Sequence, residues 1–292
     1  MKKCVFTGSG VAIVTPFTED GVDFEKLSEL IEFQIKEKTD AIVICGTTGE
    51  ASTMPDDEHI SVIEHAVKTV NGRVPVVAGT GSNDTRHAVK LSKMAQNVGA
   101  DAILSVSPYY NKTTQEGLYQ HFRVIAESLS IPVILYNVPS RTNMNINPAT
   151  IKRLSEIENI VGIKECNLHQ VAETINLCGS DFTIYSGEDG LIVPLMSLGG
   201  KGVISVMANI IPRDTHEIAA KFLSGDLEES RCLQLKTIEL IKALFIEVSP
   251  IPIKEAMNLM GMKVGKCRMP LVDISNENRE ILVKALKNYG LI

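Results

Sequence analysis

GVAIVTP at residues 10–16, FEKLSELIEFQIKE at 24–37 and AIVIC at 41–45 read, in that order, as strand, helix and strand. The outer two are short, apolar and β-branched. The middle one sets Phe24, Leu27, Leu30, Ile31 and Ile35 at the i, i+3, i+4, i+7 spacing of one helical face. Two short strands joined by a helix-length connector imply a βαβ unit and a parallel sheet.

The pattern recurs down the chain. Further apolar runs stand at 75–80 (PVVAGT), 102–108 (AILSVSP), 132–138 (PVILYNV), 160–164 (IVGIK), 182–186 (FTIYS) and 202–208 (GVISVMA), with a second clear amphipathic stretch at 83–97. Eight runs select a closed (β/α)8 TIM barrel over an open doubly wound sheet, which usually has fewer strands. Three more helical patterns follow at about 226–247, 251–261 and 277–288, with Pro250, Pro252 and Pro270 between them. They have no strand partners. The expected division is a catalytic barrel over residues 1–225 and a small helical extension over 226–292.

A chain of 292 residues, 44% hydrophobic and 22% charged, is long enough for a barrel with a sizeable core. Its net charge of -6 argues against non-specific binding of nucleic acid or anionic membrane, both of which want a basic surface. The six cysteines (4, 45, 166, 178, 232 and 267) form no C-x-x-C pair, and Cys45 and Cys166 lie within or beside strand-like runs. Reduced thiols in a cytoplasmic protein are the expectation. MKKCVFTGSG has no apolar stretch of signal-peptide length, and no run approaches the roughly 20 apolar residues of a membrane span.

In such a barrel, chemistry collects at the C-terminal ends of the strands. Lys164 ends IVGIK, and strict alternation puts Ile160, Gly162 and Lys164 on one face. Facing the interior, its ammonium is partly desolvated, which disfavours the charged form and frees the amine to attack a carbonyl. The bland alternative is a lysine that snorkels out of the strand end or is neutralised by Glu165. Lys254 is a rival, but IPIKEAMNLM reads as the polar stripe of a helix. Tyr136 shares a face with Ile134 and can serve as a general acid and base, or simply as a core tyrosine. Thr47 and Thr48, in GTTGE, offer two hydroxyls for a carboxylate, or form a plain strand-to-helix turn. Arg141 is a fork that could grip a second carboxylate, or a surface arginine. The glycine clusters match no phosphate-binding pattern, and no metal constellation stands out.

Taken together, GTTGE (46–50), SPYYNK (107–112), YNVPSRT (136–142), GIKE (162–165) and GVISVMAN (202–209) resemble the dihydrodipicolinate synthase/N-acetylneuraminate lyase superfamily, over nearly the whole chain. The resemblance implies a (β/α)8 barrel with a helical extension and a class I aldolase-type mechanism that needs no cofactor. Lys164 would form a Schiff base with pyruvate. The derived enamine would attack the aldehyde of L-aspartate 4-semialdehyde, and the substrate amine would displace the lysine and close the heterocycle, in diaminopimelate and lysine biosynthesis. Tyr136, Thr47 and Tyr110 match the proton relay, the last reaching in from a neighbouring subunit, so that a homotetramer is implied. Thr48 matches the pyruvate-carboxylate position, Ile204 a main-chain contact near the keto acid, and Arg141 the group that receives the semialdehyde carboxylate. Neuraminate lyases typically carry Ser-Thr in place of Thr47-Thr48 and lack the arginine.

Two departures stand out. The family commonly continues Lys-Glu-Ala-Ser/Thr-Gly, whereas this chain reads Lys164-Glu165-Cys166-Asn167-Leu168. Lysine-inhibited members often carry Ser, His and Glu where this chain has Ala51, Asp56 and His87, although Asn83, His59 and Tyr109 agree. Weak or absent inhibition by L-lysine is therefore expected. The competing readings are another Schiff-base keto-acid lyase, which Arg141 disfavours, and a non-catalytic keto-acid-binding relative, which would be expected to have lost some of these six polar positions.

Overall fold

The strands pair as the apolar runs require. The structure, a computed structural model, describes residue 2 and residues 4–292; Met1 and Lys3, at the start of the span assigned to the barrel, lie outside the described residues. Eight parallel strands close into a barrel: β1 (Gly8–Ala12), β2 (Ala41–Ile44), β3 (Val76–Gly79), β4 (Ala102–Val106), β5 (Val133–Asn137), β6 (Ile160–Glu165), β7 (Thr183–Ser186) and β8 (Gly202–Ser205). Closure is direct, with Gly10 of β1 opposite Ile204 of β8 and Val11 opposite Ile42 of β2. At that seam Gly202 has φ +150° and a Cβ there would stand 1.8 Å from the Gly8 carbonyl oxygen, so only glycine fits.

The connectors are helices α1 (Phe24–Lys36), α2 (Asp56–Val70), α3 (Thr85–Asn97), α4 (Gln115–Glu127), the single turn α5 (Pro139–Thr142), α6 (Pro148–Ser155), α7 (Val171–Cys178), α8 (Ile192–Ser197) and α9 (Pro212–Leu223). Asp23 caps α1 by accepting from the Lys26 N–H at 2.9 Å, and Leu27, Leu30 and Ile31 turn inward, as their spacing demands. The core has two layers. Val11, Ile42, Ile44, Val76, Ile103, Leu135 and Ile163 pack between barrel and helices; Ala12, Val43, Val77, Leu104, Ile134, Tyr136 and Ile204 fill the barrel itself. Phe6, just before β1, stacks on Tyr185 at 4.3 Å between ring centroids and fills the floor.

Four local readings change. The first strand runs 8–12 rather than 10–16: beyond Ile13 the backbone leaves the ladder, Val14 N–H donating to Asn209 Oδ1 and Phe17 N–H to the Val264 carbonyl. In β6 strict alternation fails. Val133 pairs with Ile160 but Ile134 with Gly162, so Val161 is an inserted bulge residue. Ile160 therefore packs in the outer layer, Val161 in the inner one, and Lys164 still points inward.

The expected helix 226–247 is two helices, α10 (Leu227–Lys236) and α11 (Ile238–Leu244), interrupted where the Thr237 hydroxyl donates back to the Gln234 carbonyl at 2.7 Å. Beyond them lie α12 (Ile251–Leu259) and α13 (Asn276–Tyr289). Lys254 of α12 is not on a polar stripe: its side chain is 2% exposed, because α12 sits in the seam between extension and barrel, where a carboxylate receives the ammonium. Among the described residues no helix is long and apolar enough to cross a membrane.

Candidate active site

At the C-terminal mouth of the barrel a pocket of about 250 Å³ gathers Thr47, Thr48, Tyr136, Arg141 and Lys164. Lys164 rises from β6 directly opposite Tyr136 of β5, and its Nζ stands 4.5 Å from the centre of the phenol ring. Both are 6% exposed. Burial pushes the Tyr136 phenol above its ordinary pKa, against the pull of the Lys164 charge and a hydrogen bond with Thr47. Tyr136 is thus a protonated donor at neutral pH, beside an amine.

The threonines sit on a turn whose backbone is unusual at both ends. Cys45 and Glu50, which flank Gly46–Gly49, both have left-handed backbones (φ 54° and 57°). The turn is tied across by Glu50 N–H to the Thr47 carbonyl at 3.1 Å, and the Thr15 hydroxyl donates to the Gly49 carbonyl at 2.7 Å. Thr48 is buried and Thr47 open to solvent. Arg141, on α5, is exposed and donates one bond to the Ser249 carbonyl at 3.1 Å; its other N–H groups are left for a ligand.

Two of the expected site residues lie elsewhere in the single chain. Ile204 is 1% exposed inside the barrel, beneath the pocket rather than on its wall. Tyr110 is 94% exposed, with φ 68°, outside the pocket. The pocket also has walls that the motif reading left out. Glu188 follows the end of β7, and applying the strand-end rule to FTIYSGE would have found it. Phe245 and Ser249 come from the extension, and nothing local in their sequence marks them. Cys166 is a further wall, its thiol pushed up to about 12, chiefly by burial, so it is not a nucleophile at neutral pH.

Glu165 does not neutralise Lys164, because alternation turns it to the other side of the strand. There it accepts from Asn137 Nδ2 at 2.8 Å, Asn167 N–H at 2.7 Å and Gln170 Nε2 at 2.8 Å, in a network that Asn145 extends. The backbone at position 167 is therefore part of the lysine strand's support, a bond that does not depend on the asparagine side chain. Burial raises the Glu165 carboxyl to about 7 from an ordinary 4.5, despite these bonds. For a raised acid the stabilising contribution is complete below the unfolded value and lost as pH rises through the folded one. Wild-type stability should therefore fall between pH 4.5 and about 7 by a component that Glu165→Gln lacks. Urea midpoints across pH 4.5–8 test this: parallel profiles for the two proteins would refute it.

Residues 5–289 match the Dihydrodipicolinate synthetase family. The 4-hydroxy-tetrahydrodipicolinate synthase of Acetivibrio thermocellus is 69% identical over 292 residues, covering 100% of both chains. That of Caldicellulosiruptor bescii is 58% identical, covering 98% of each. Among solved structures, dihydrodipicolinate synthase from Aquifex aeolicus superimposes with a TM-score of 0.96 at 48% identity, over 98% of this chain and 99% of that one.

Proposed function

The chain belongs to the dihydrodipicolinate synthetase family, and on that footing we propose that it is a lyase joining pyruvate to L-aspartate 4-semialdehyde through an imine on Lys164, to give 4-hydroxy-tetrahydrodipicolinate. The observation that carries the lysine's role is its amine, buried at the barrel mouth and 4.5 Å from the ring of a protonated tyrosine.

The steps balance on these groups. The Lys164 amine adds to the pyruvate ketone and water leaves, with Tyr136 carrying the protons. Loss of a methyl proton gives the enamine, whose carbon attacks the aldehyde. The semialdehyde's own amine then attacks the imine carbon, releases Lys164 and closes the ring, so one water is lost overall. Thr47 extends the proton path from Tyr136; the Tyr110 of a second copy completes it in a homotetramer. Thr48 seats the keto-acid carboxylate, the main chain at Ile204 makes a contact near the keto acid, and Arg141 receives the carboxylate of the semialdehyde.

In this reading residues 1–225 form the catalytic barrel and 226–292 the extension, although Phe245 and Ser249 bring the extension to the pocket wall. The protein works in the cytoplasm with its six free thiols reduced. Borohydride reduction with pyruvate, followed by mass analysis of the digested chain, tests the core of the proposal. One pyruvyl adduct on Lys164 is expected; an adduct on Lys254, or none, would overturn it.

L-Lysine is a poor inhibitor in the same reading. In the groove lined by His59, Ser82, His87 and Tyr109, Asp56 is the acid that would meet a ligand ammonium. It is already paired with Lys90 and His87, each at 2.7 Å, and these hydrogen bonds hold it down to about 2. Half-inhibition should need more than low-millimolar lysine, and an initial-rate titration at limiting pyruvate decides it.

A further inference from the structure

Lys254 is among the largest fully buried side chains of the protein, and the mechanism makes no use of it. Its Nζ stands 2.7 Å from Glu50 Oε1, the two side chains being 2% and 1% exposed, and lies 4.3 Å from the centre of the Phe17 ring. It also donates to the Lys266 carbonyl at 3.0 Å. The other Glu50 oxygen accepts from the Arg268 backbone N–H at 2.8 Å. The Arg268 guanidinium stands 4.0 Å from the centre of the same Phe17 ring and donates to Glu58 at 2.6 Å.

A buried ion pair is a poor stability device. Removing two charges from water offsets most of their attraction, and apolar replacements of equal volume are often as stable. What such a pair does supply is direction. Glu50 is the last residue of GTTGE and has a left-handed backbone, a conformation that a non-glycine residue holds only when its surroundings fix it. Here one carboxylate oxygen is hydrogen-bonded by the Arg268 backbone and the other is ion-paired with Lys254, and both partners come from the extension. Two residues earlier in the same turn is Thr48, buried on the pocket wall.

We propose that Lys254 and the Arg268 segment are positioning residues which, by gripping the Glu50 carboxylate, fix the turn that presents Thr47 and Thr48 to the keto acid. The proposal rests on the reading that this turn seats the pyruvate carboxylate. It makes the extension a working part of the site through a contact separate from those of Phe245 and Ser249. Lys254 lies outside the pocket of Lys164 and is committed to Glu50, so its task is geometric.

The test compares Lys254→Met with Thr48→Val in the full-length protein. The quantities measured are the pyruvate concentration for half-maximal borohydride trapping on Lys164, the KM for the semialdehyde, and Tm. A seat displaced by a fraction of an ångström should raise half-saturating pyruvate in Lys254→Met by about tenfold, with the semialdehyde KM within about twofold of wild type. A lower Tm with unchanged pyruvate saturation, or an equal rise for both substrates, would reduce Lys254 to a structural residue. If Lys254→Met does not fold, the Glu50→Gln/Lys254→Met double variant, which buries no unpaired charge, is measured for the same shift. Thr48→Val separates the two failures. A rise there without one in Lys254→Met sinks only the positioning role; no rise in Thr48→Val sinks the carboxylate seat and the proposal with it.

Discussion

Lys164→Met should yield a folded protein that takes up no borohydride-reducible pyruvyl adduct and loses at least about four orders of magnitude in kcat, as expected when a covalent nucleophile is removed. Methionine is close in volume and apolar, and the side chain it replaces is 6% exposed in a pocket that Leu104, Tyr136 and Cys166 also line. Among the described residues Lys164 makes no ion pair, and Glu165 faces the other way, so the exchange breaks no direct contact with a carboxylate, although buried Asp189 loses the pull of the Lys164 charge. The Tm should therefore stay close to that of wild type, since the volume is kept and no direct polar partner is lost. That pairing of intact fold and absent chemistry separates a catalytic lysine from a structural one. Residual turnover above about one per cent of wild type would show that the covalent route is not the working one.

Arg141→Leu has the second-largest expected effect, and it should fall on one substrate only. The guanidinium spends a single N–H on the Ser249 carbonyl and keeps a fork free. Two charge-assisted bonds to a carboxylate, at about 1.5–3 kcal/mol each, correspond to a loss of roughly 10²- to 10⁴-fold in kcat/KM for the semialdehyde. Pyruvate trapping on Lys164 should stay at wild-type saturation. Arg141→Lys should recover only part of the loss, because an ammonium supplies charge without the planar fork. A comparable rise in half-saturating pyruvate would move Arg141 to the keto-acid side and leave the second carboxylate without its assigned partner.

The barrel was legible because each strand is a short apolar run and each long connector has a helical stripe. Those patterns are dictated by burial on both faces of a parallel strand and on one face of a helix. What escaped were features set by tertiary contact. IVGIK carries no mark of the bulge at Val161, since pairing with β5, not the composition of the strand, decides that Ile134 skips to Gly162. Thr237 interrupts a helical pattern that would otherwise run on, because its hydroxyl bonds back to Gln234.

Lys254 misled for a related reason. A lone cation on an otherwise amphipathic helix is usually solvated, and its buried partner is about two hundred residues away in sequence, at Glu50. Within the pocket, the inward placement of strand-end residues such as Tyr136 and Lys164 followed from position, but position left a structural reading open for each, and their roles came from the family resemblance. Phe245 and Ser249 did not, because they arrive from the extension.

Tyr110 leaves one more consequence. An aromatic side chain held 94% in water on a left-handed backbone gains little within its own chain. In the proposed assembly its return comes only on contact with a second copy, whose relay it completes. A solitary chain would then be an unfinished catalyst, and turnover per chain would follow the law of mass action, thinning on dilution below the dissociation constant and recovering on concentration.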